Sequence, residues 1–162
     1  MFRIGFLLLI AFLAVSCGSE SKLDQQLEAS AMSDASKAIP RILEGLDPSL
    51  EVTSLPSGLQ YVEIRAGKGT TPRSGQTCSV HYTGWLLDGT KFDSSLDRGQ
   101  VFEFPLGQGR VIRGWDEAVA LMNVGDKWRI SLPPELAYGD RGVGPIPPAS
   151  TLIFDVELKG FR

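Results

Sequence analysis

Residues 77–87 read TCSVHYTGWLL, and this run decides the class of fold. Cys78, Val80 and Tyr82 alternate with Ser79, His81 and Thr83, the two-residue period of a strand with one face turned to a core. Asp88–Gly89 follows as a turn signal. On this parity Tyr82 points inward. His81 points the other way and reads as a surface or structural residue. Cys78 shares the inner face, where a thiol behaves as a small buried hydrophobe.

Working outward, residues 58–64 (GLQYVEI) alternate as a second strand, and Gly67, Gly69, Pro72 and Gly75 punctuate the loop between the two. Residues 101–106 (VFEFPL) place Phe102 and Phe104 on one face. Trp128, Ile130 and Leu132 alternate in another strand, and Leu152, Phe154, Val156 and Leu158 in the last. One helix interrupts them: Trp115, Ala118, Val119 and Met122 fall at i, i+3, i+4 and i+7. Asp116 and Glu117 suit its positive N-terminal end, and Gly125 is the expected stop. Five or so strands with one short helix make an α+β domain.

The chain has 162 residues, 43% hydrophobic and 22% charged, which fits one globular domain with an appendage. A net charge of -3 lacks the basic footprint of a nucleic-acid binder, so no nucleic-acid partner is expected. Residues 1–16 divide off as a leader: Arg3 gives a positive start, and residues 4–15 are apolar except for Gly5. The run is too short to span a membrane and fits a secretory signal. LAVSC at 13–17 resembles a bacterial lipobox, with Leu13 one position further from Cys17 than usual. It makes Cys17 a candidate lipidation site, with an ordinary signal peptide as the alternative. The protein is then expected to be exported and lipid-anchored to a bacterial membrane, facing the periplasm or outer membrane in a Gram-negative cell. A Cys17–Cys78 disulfide is the rival use of the two cysteines, disfavoured by the inward parity of Cys78.

Residues 17–54 are polar at first, and then Ile39, Ile42, Leu43 and Leu46 recur at helical spacing behind Pro40. The segment reads as a tether with short helices, or as a segment that meets a partner. The composition shift puts the start of the domain at residue 55.

The strings VHYTG (80–84), KFDSS (91–95), VIRGW (111–115), AYG (137–139) and LIFDVEL (152–158) together resemble the FKBP-type peptidyl-prolyl isomerases over residues 55–162. The resemblance implies a twisted antiparallel half-barrel wrapped around one short helix. It implies rotation about X–Pro bonds, needing no nucleophile, metal or cofactor. It places Trp115 on the floor of a pocket, Tyr82, Phe102 and Phe154 in its walls, and Val111 and Ile112 at its rim. The Ile112 N–H and the Tyr138 hydroxyl become donors to substrate carbonyls. Asp93 becomes the one pocket carboxylate, held by Tyr82, with Arg98 as partner and Phe92 packed beside it. Catalysis is thus assigned to Asp93, Tyr138, Ile112 and Trp115. Ile146 is expected at the apolar rim. The implied ligands are proline-containing polypeptides and tacrolimus- or rapamycin-type macrolides, bound by a monomeric domain.

Three departures stand out. The loop after Tyr138 is about one residue short of the family's small members. Val143 stands where many carry His, and Pro145 replaces a second Ile. Arg110 stands where an acidic residue is common, and because the family uses the backbone there, little effect is expected. A peptide-binding chaperone or surface module without turnover is the alternative reading of the same pocket.

Overall fold

The computed structural model describes residues 41–162. The leader, Cys17 and the tether through Pro40 lie outside the described residues. Seven strands build one sheet: β1 (Thr53–Ser54), β2 (Gln60–Arg65), β3 (Thr77–Leu86), β4 (Lys91–Ser94), β5 (Phe102–Pro105), β6 (Lys127–Leu132) and β7 (Leu152–Phe161). Their order is β1-β2-β6-β7-β3-β4, with β5 also paired to β3, and every pairing is antiparallel. The α+β architecture is as expected, with two more strands than the pattern reveals.

β3 organises the sheet. Along one edge it pairs first with β5 (Cys78↔Phe104) and then with β4 (Gly84↔Asp93), and along the other it pairs with β7 from Cys78↔Phe161 to Leu86↔Leu152. Its inward residues are Cys78 and Val80, fully buried, and Tyr82, 8% exposed. β4 escapes the sequence pattern because KFDS has little strand preference of its own. Pairing with β3 makes it a strand.

Helix α1 (Arg113–Val119) lies against the inner face and buries Trp115, Ala118 and Val119 among residues of β3, β5, β6 and β7. It is shorter than its apolar period suggests. Leu121 and Met122 close as tight turns onto the carbonyls of Ala118 and Val119, which keeps Met122 fully buried without further helix. Gly125 does not stop the helix: at φ +97 its N–H donates to the Leu158 carbonyl at 2.8 Å, turning the chain into β6.

The packed body begins before residue 55. β1 pairs with β2 through Thr53↔Tyr61 and Ser54↔Gln60. Further upstream Ile42 is fully buried. Arg129 Nη1 donates to the Glu44 carbonyl at 2.5 Å, while Arg129 pairs with Asp155 and lies over the Trp85 ring at 5.9 Å. Residues 41–54 are therefore a strap over the outer face of the sheet. The tether pattern misses this because one buried isoleucine and a carbonyl are enough to dock it.

Candidate active site

Trp115 is the centre of the site. α1 turns its indole onto the inner face, where it is 3% exposed. Tyr82 from β3 meets it edge-on at 4.9 Å and Phe154 from β7 at 5.4 Å. Phe102 and Phe104 from β5 each stand 5.9 Å away. Such geometry suits the ring quadrupoles and adds to the burial of each ring. Behind this group Phe92 from β4 meets Phe154 at 5.5 Å and nearly perpendicular. The contact requires Gly84: a Cβ there would lie 2.6 Å from the Phe92 ring and 2.8 Å from that of Phe154.

Tyr82, Phe92, Phe102, Trp115 and Phe154 line a cleft of about 160 Å³ together with Asp93, Val111, Ile112 and Tyr138. The structure thus brings Trp115, Tyr82, Phe92, Phe102, Phe154, Asp93, Val111, Ile112 and Tyr138 together at one place. Ile146 is the exception. Val143 and Ile146 exchange N–H···O bonds of 3.1 and 3.0 Å, and this tight turn folds Ile146 into the core at 7% exposure while Val143 stays 55% exposed. Ile146 supports the loop from beneath, so its expected place at the rim is corrected.

The polar groups form one network. The Tyr82 hydroxyl donates to Asp93 Oδ2, and Arg98 Nη1 and the Ser94 N–H (2.8 Å) donate to Oδ1. Arg98 Nη2 also donates to the Tyr82 oxygen at 2.9 Å. Burial alone would raise the Asp93 carboxyl, but the bonds from Tyr82 and Arg98 and the Arg98 charge together hold it below the usual carboxylate value. The Tyr82 phenol is pushed up by burial and by its bond to Asp93, and the Tyr138 phenol by burial and by the Asp93 charge. Both stay protonated and able to donate at neutral pH. A carboxylate so tied is a poor proton carrier.

Ser95 sets the wall behind Tyr82. Its buried hydroxyl accepts from the Tyr82 N–H at 2.8 Å and meets His81 Nδ1 at 3.1 Å. His81 is structural, as its parity suggests.

Residues 68–159 match the family model of the FKBP-type peptidyl-prolyl cis-trans isomerase. The chain belongs to that family. Fkbp12 of Drosophila melanogaster is 57% identical over 103 residues, covering 62% of this chain and 95% of that protein. FKBP4 of Mus musculus is 50% identical over 137 residues, 83% of this chain but only 29% of that protein, so the chain spans less than a third of its length. The crystal structure of AtFKBP13 superposes with a TM-score of 0.67 at 42% identity, covering 69% of this chain and 99% of that one. The FKBP-type fold expected from the motifs is therefore the fold observed.

Two residues gain roles in this FKBP-type cleft that the sequence pattern did not show. Asp116, read as a helix-dipole partner, accepts from the Gly107 and Gly109 N–H groups at 2.8 and 3.1 Å, and so pins the loop that leads to Val111 and Ile112. A bond across seven or nine residues leaves no periodic signal. Arg110, the next residue in that loop, lines the cleft. A larger recess of about 250 Å³ lies under the strap between Arg41, Glu44, Trp85, Arg129 and Ile153, where both arginines already have carboxylate partners.

Proposed function

We propose that the protein accelerates cis–trans isomerisation of X–Pro bonds in exported polypeptides, by stabilising the twisted amide in the Trp115 cleft. The observation that carries this reading is the cleft itself: an aromatic enclosure whose one carboxylate is fixed by a tyrosine and an arginine.

Unaided X–Pro isomerisation takes about 10–100 s. Typical enzyme turnover is about 1–10³ s⁻¹, an acceleration of about 10 to 10⁵, so the cleft must supply about 1–7 kcal/mol. No bond breaks. A planar amide places partial charge on its oxygen, and twisting removes it. A dry apolar wall therefore disfavours the planar form more than the twisted one. In the proposed pose the proline ring rests on Trp115 between Tyr82, Phe102 and Phe154. The Ile112 N–H, at the residue before α1, and the Tyr138 hydroxyl hold the flanking carbonyls. Asp93, kept ionised and immobile, faces the amide as a fixed dipole partner with Tyr82 and Arg98. Tacrolimus- or rapamycin-type macrolides, which present carbonyls beside a saturated ring, are expected to compete for the same surface.

A protease-coupled assay on an X–Pro peptide tests this. Acceleration by the wild-type domain, a fall of about 10- to 100-fold in Asp93→Ala from the loss of a charge-assisted hydrogen bond, and inhibition by tacrolimus are the expected results. Absence of acceleration with intact peptide binding would favour the chaperone reading.

The place of action rests on residues 1–17. The apolar leader and Cys17 support export and lipid anchorage, with residues 18–40 as the spacer between membrane and strap. Cys17→Ser is expected to move the protein from the membrane fraction to the soluble one, and unchanged fractionation would remove the anchor from the proposal.

A further inference from the structure

We propose that Arg110 selects proline segments carrying an acidic side chain close to the X–Pro bond. The inference rests on the isomerase reading above and names its substrate class. Two charged residues line the cleft, Asp93 and Arg110. Asp93 is neutralised within the cleft by Arg98. Arg110 has no ion pair among the described residues. The carboxylate nearest in sequence, Asp116, has one oxygen on the Gly107 N–H and the other on the Gly109 N–H. Those bonds do two things: they occupy Asp116, and they fix the backbone immediately before Arg110. The exposed guanidinium is thus carried on a pinned loop at the mouth of the cleft.

An unpartnered cation at a binding mouth recognises a carboxylate, and arginine does so with a planar fork of donors. An extended peptide advances about 3.3–3.6 Å per residue, and an arginine side chain reaches roughly twice that. The acidic residue therefore falls within about two positions of the X–Pro bond. The chain as a whole is acidic at -3, so long-range steering works against such a ligand and the preference must be local. An exposed pair of this kind gives about a two- to five-fold preference.

The experiment compares peptides of one X–Pro core flanked by Asp, Asn or Lys, using kcat/KM for turnover and Trp fluorescence for binding. Wild-type protein is expected to favour the Asp peptide over the Asn peptide about two- to five-fold in both readouts, and to lose the preference in 1 M salt. Arg110→Gln should bring the Asp/Asn ratio to one, Arg110→Lys should retain most of it, and Arg110→Glu should invert it toward the Lys peptide. Thermal melts check that each variant is folded. Equal handling of the three peptides by wild type, or a ratio that survives in Arg110→Gln, overturns the proposal. If no peptide is turned over, the isomerase reading fails, and the binding ratio still decides whether Arg110 selects charge.

Discussion

The two faces of the sheet are built from alternate residues of the same strands, yet different chemistry holds them. On the inner face Tyr82, Phe102 and Phe154 meet Trp115 edge to face and Phe104 meets it tilted, with almost no charge among them. On the outer face Arg129–Asp155 and Arg65–Glu157 run between strands, Lys159–Glu157 lies along β7, and the strap docks through Ile42 and the Glu44 carbonyl. The inner face is rigid because packing leaves each ring one place. The outer face is held by ion pairs, of which Arg129–Asp155 is largely covered while Arg65–Glu157 and Lys159–Glu157 are half-exposed, worth little and screened by salt. A binding cleft needs the first arrangement. A face that only has to stay soluble and carry a strap can use the second.

The largest effect is expected on the inner face. Trp115→Ala empties the centre of the aromatic group and should cost about 3–5 kcal/mol, a large part of the roughly 5–15 kcal/mol that holds a domain. Urea denaturation would show it, and a loss under 1 kcal/mol would mean the group repacks around the gap. Loss of activity in this variant therefore confounds chemistry with folding. Trp115→Phe keeps an aromatic floor and is the cleaner probe of turnover. Gly84→Ala attacks the same face from behind, because its methyl has no room between Phe92 and Phe154. A loss of about 1–3 kcal/mol is expected from such overpacking, with weakened ligand binding.

Next comes the strap. Ile42 is as buried as any residue of the inner core, so Ile42→Ala should cost about 2–5 kcal/mol. A simple tether would give no change, and denaturation of residues 41–162 with and without the substitution separates the two. The comparison would sharpen if the strap proved dispensable, since the outer face would then rest on ion pairs alone.

What the sequence displays and what it conceals divides along the same line. The inner face is legible because burial imposes a period: Cys78, Val80 and Tyr82 declare their side by alternation, and Trp115 with Ala118 and Val119 declares a helix. The motif strings then bring the cleft aromatics and Asp93 to their places. The helix length is misread because Met122 keeps the apolar period through a turn that is no longer helical. Ile146 is misread because whether an apolar residue is rim or core depends on a four-residue turn, not on hydrophobicity. β4 carries few apolar residues and the strap fully buries only Ile42 of its several, and both owe their places to partners distant in the chain. Asp116 and Arg110 take their roles from loop geometry, to which no period points.

The smallest effect lies at the far edge of the outer face and is the sharpest test of its electrostatic character. Glu103 accepts from both Arg162 Nη atoms at 2.7 and 2.9 Å and from the Ser79 hydroxyl at 2.9 Å. Those bonds, Arg162 first, lower its carboxyl from 4.5 to about 2. The folded value lies below the unfolded one, so the stabilisation is complete above about 4.5 and is lost as pH falls toward about 2. An NMR titration of the Glu103 carboxyl carbon should give a low midpoint in wild type and a higher one, still held down by the Ser79 hydroxyl, in Arg162→Ala. Because the group is exposed, 1 M salt should move the wild-type midpoint the same way. Asp93 supplies the internal control. Its carboxyl is also held low, but by a tyrosine as well as an arginine and against a burial that opposes ionisation. Salt should move the Asp93 midpoint less than that of Glu103, because screening reaches Arg98 but not the Tyr82 bond. Equal shifts at the two sites would mean that the cleft carboxylate is no better shielded than a surface one, and the contrast between the faces would not extend to the charge in the cleft.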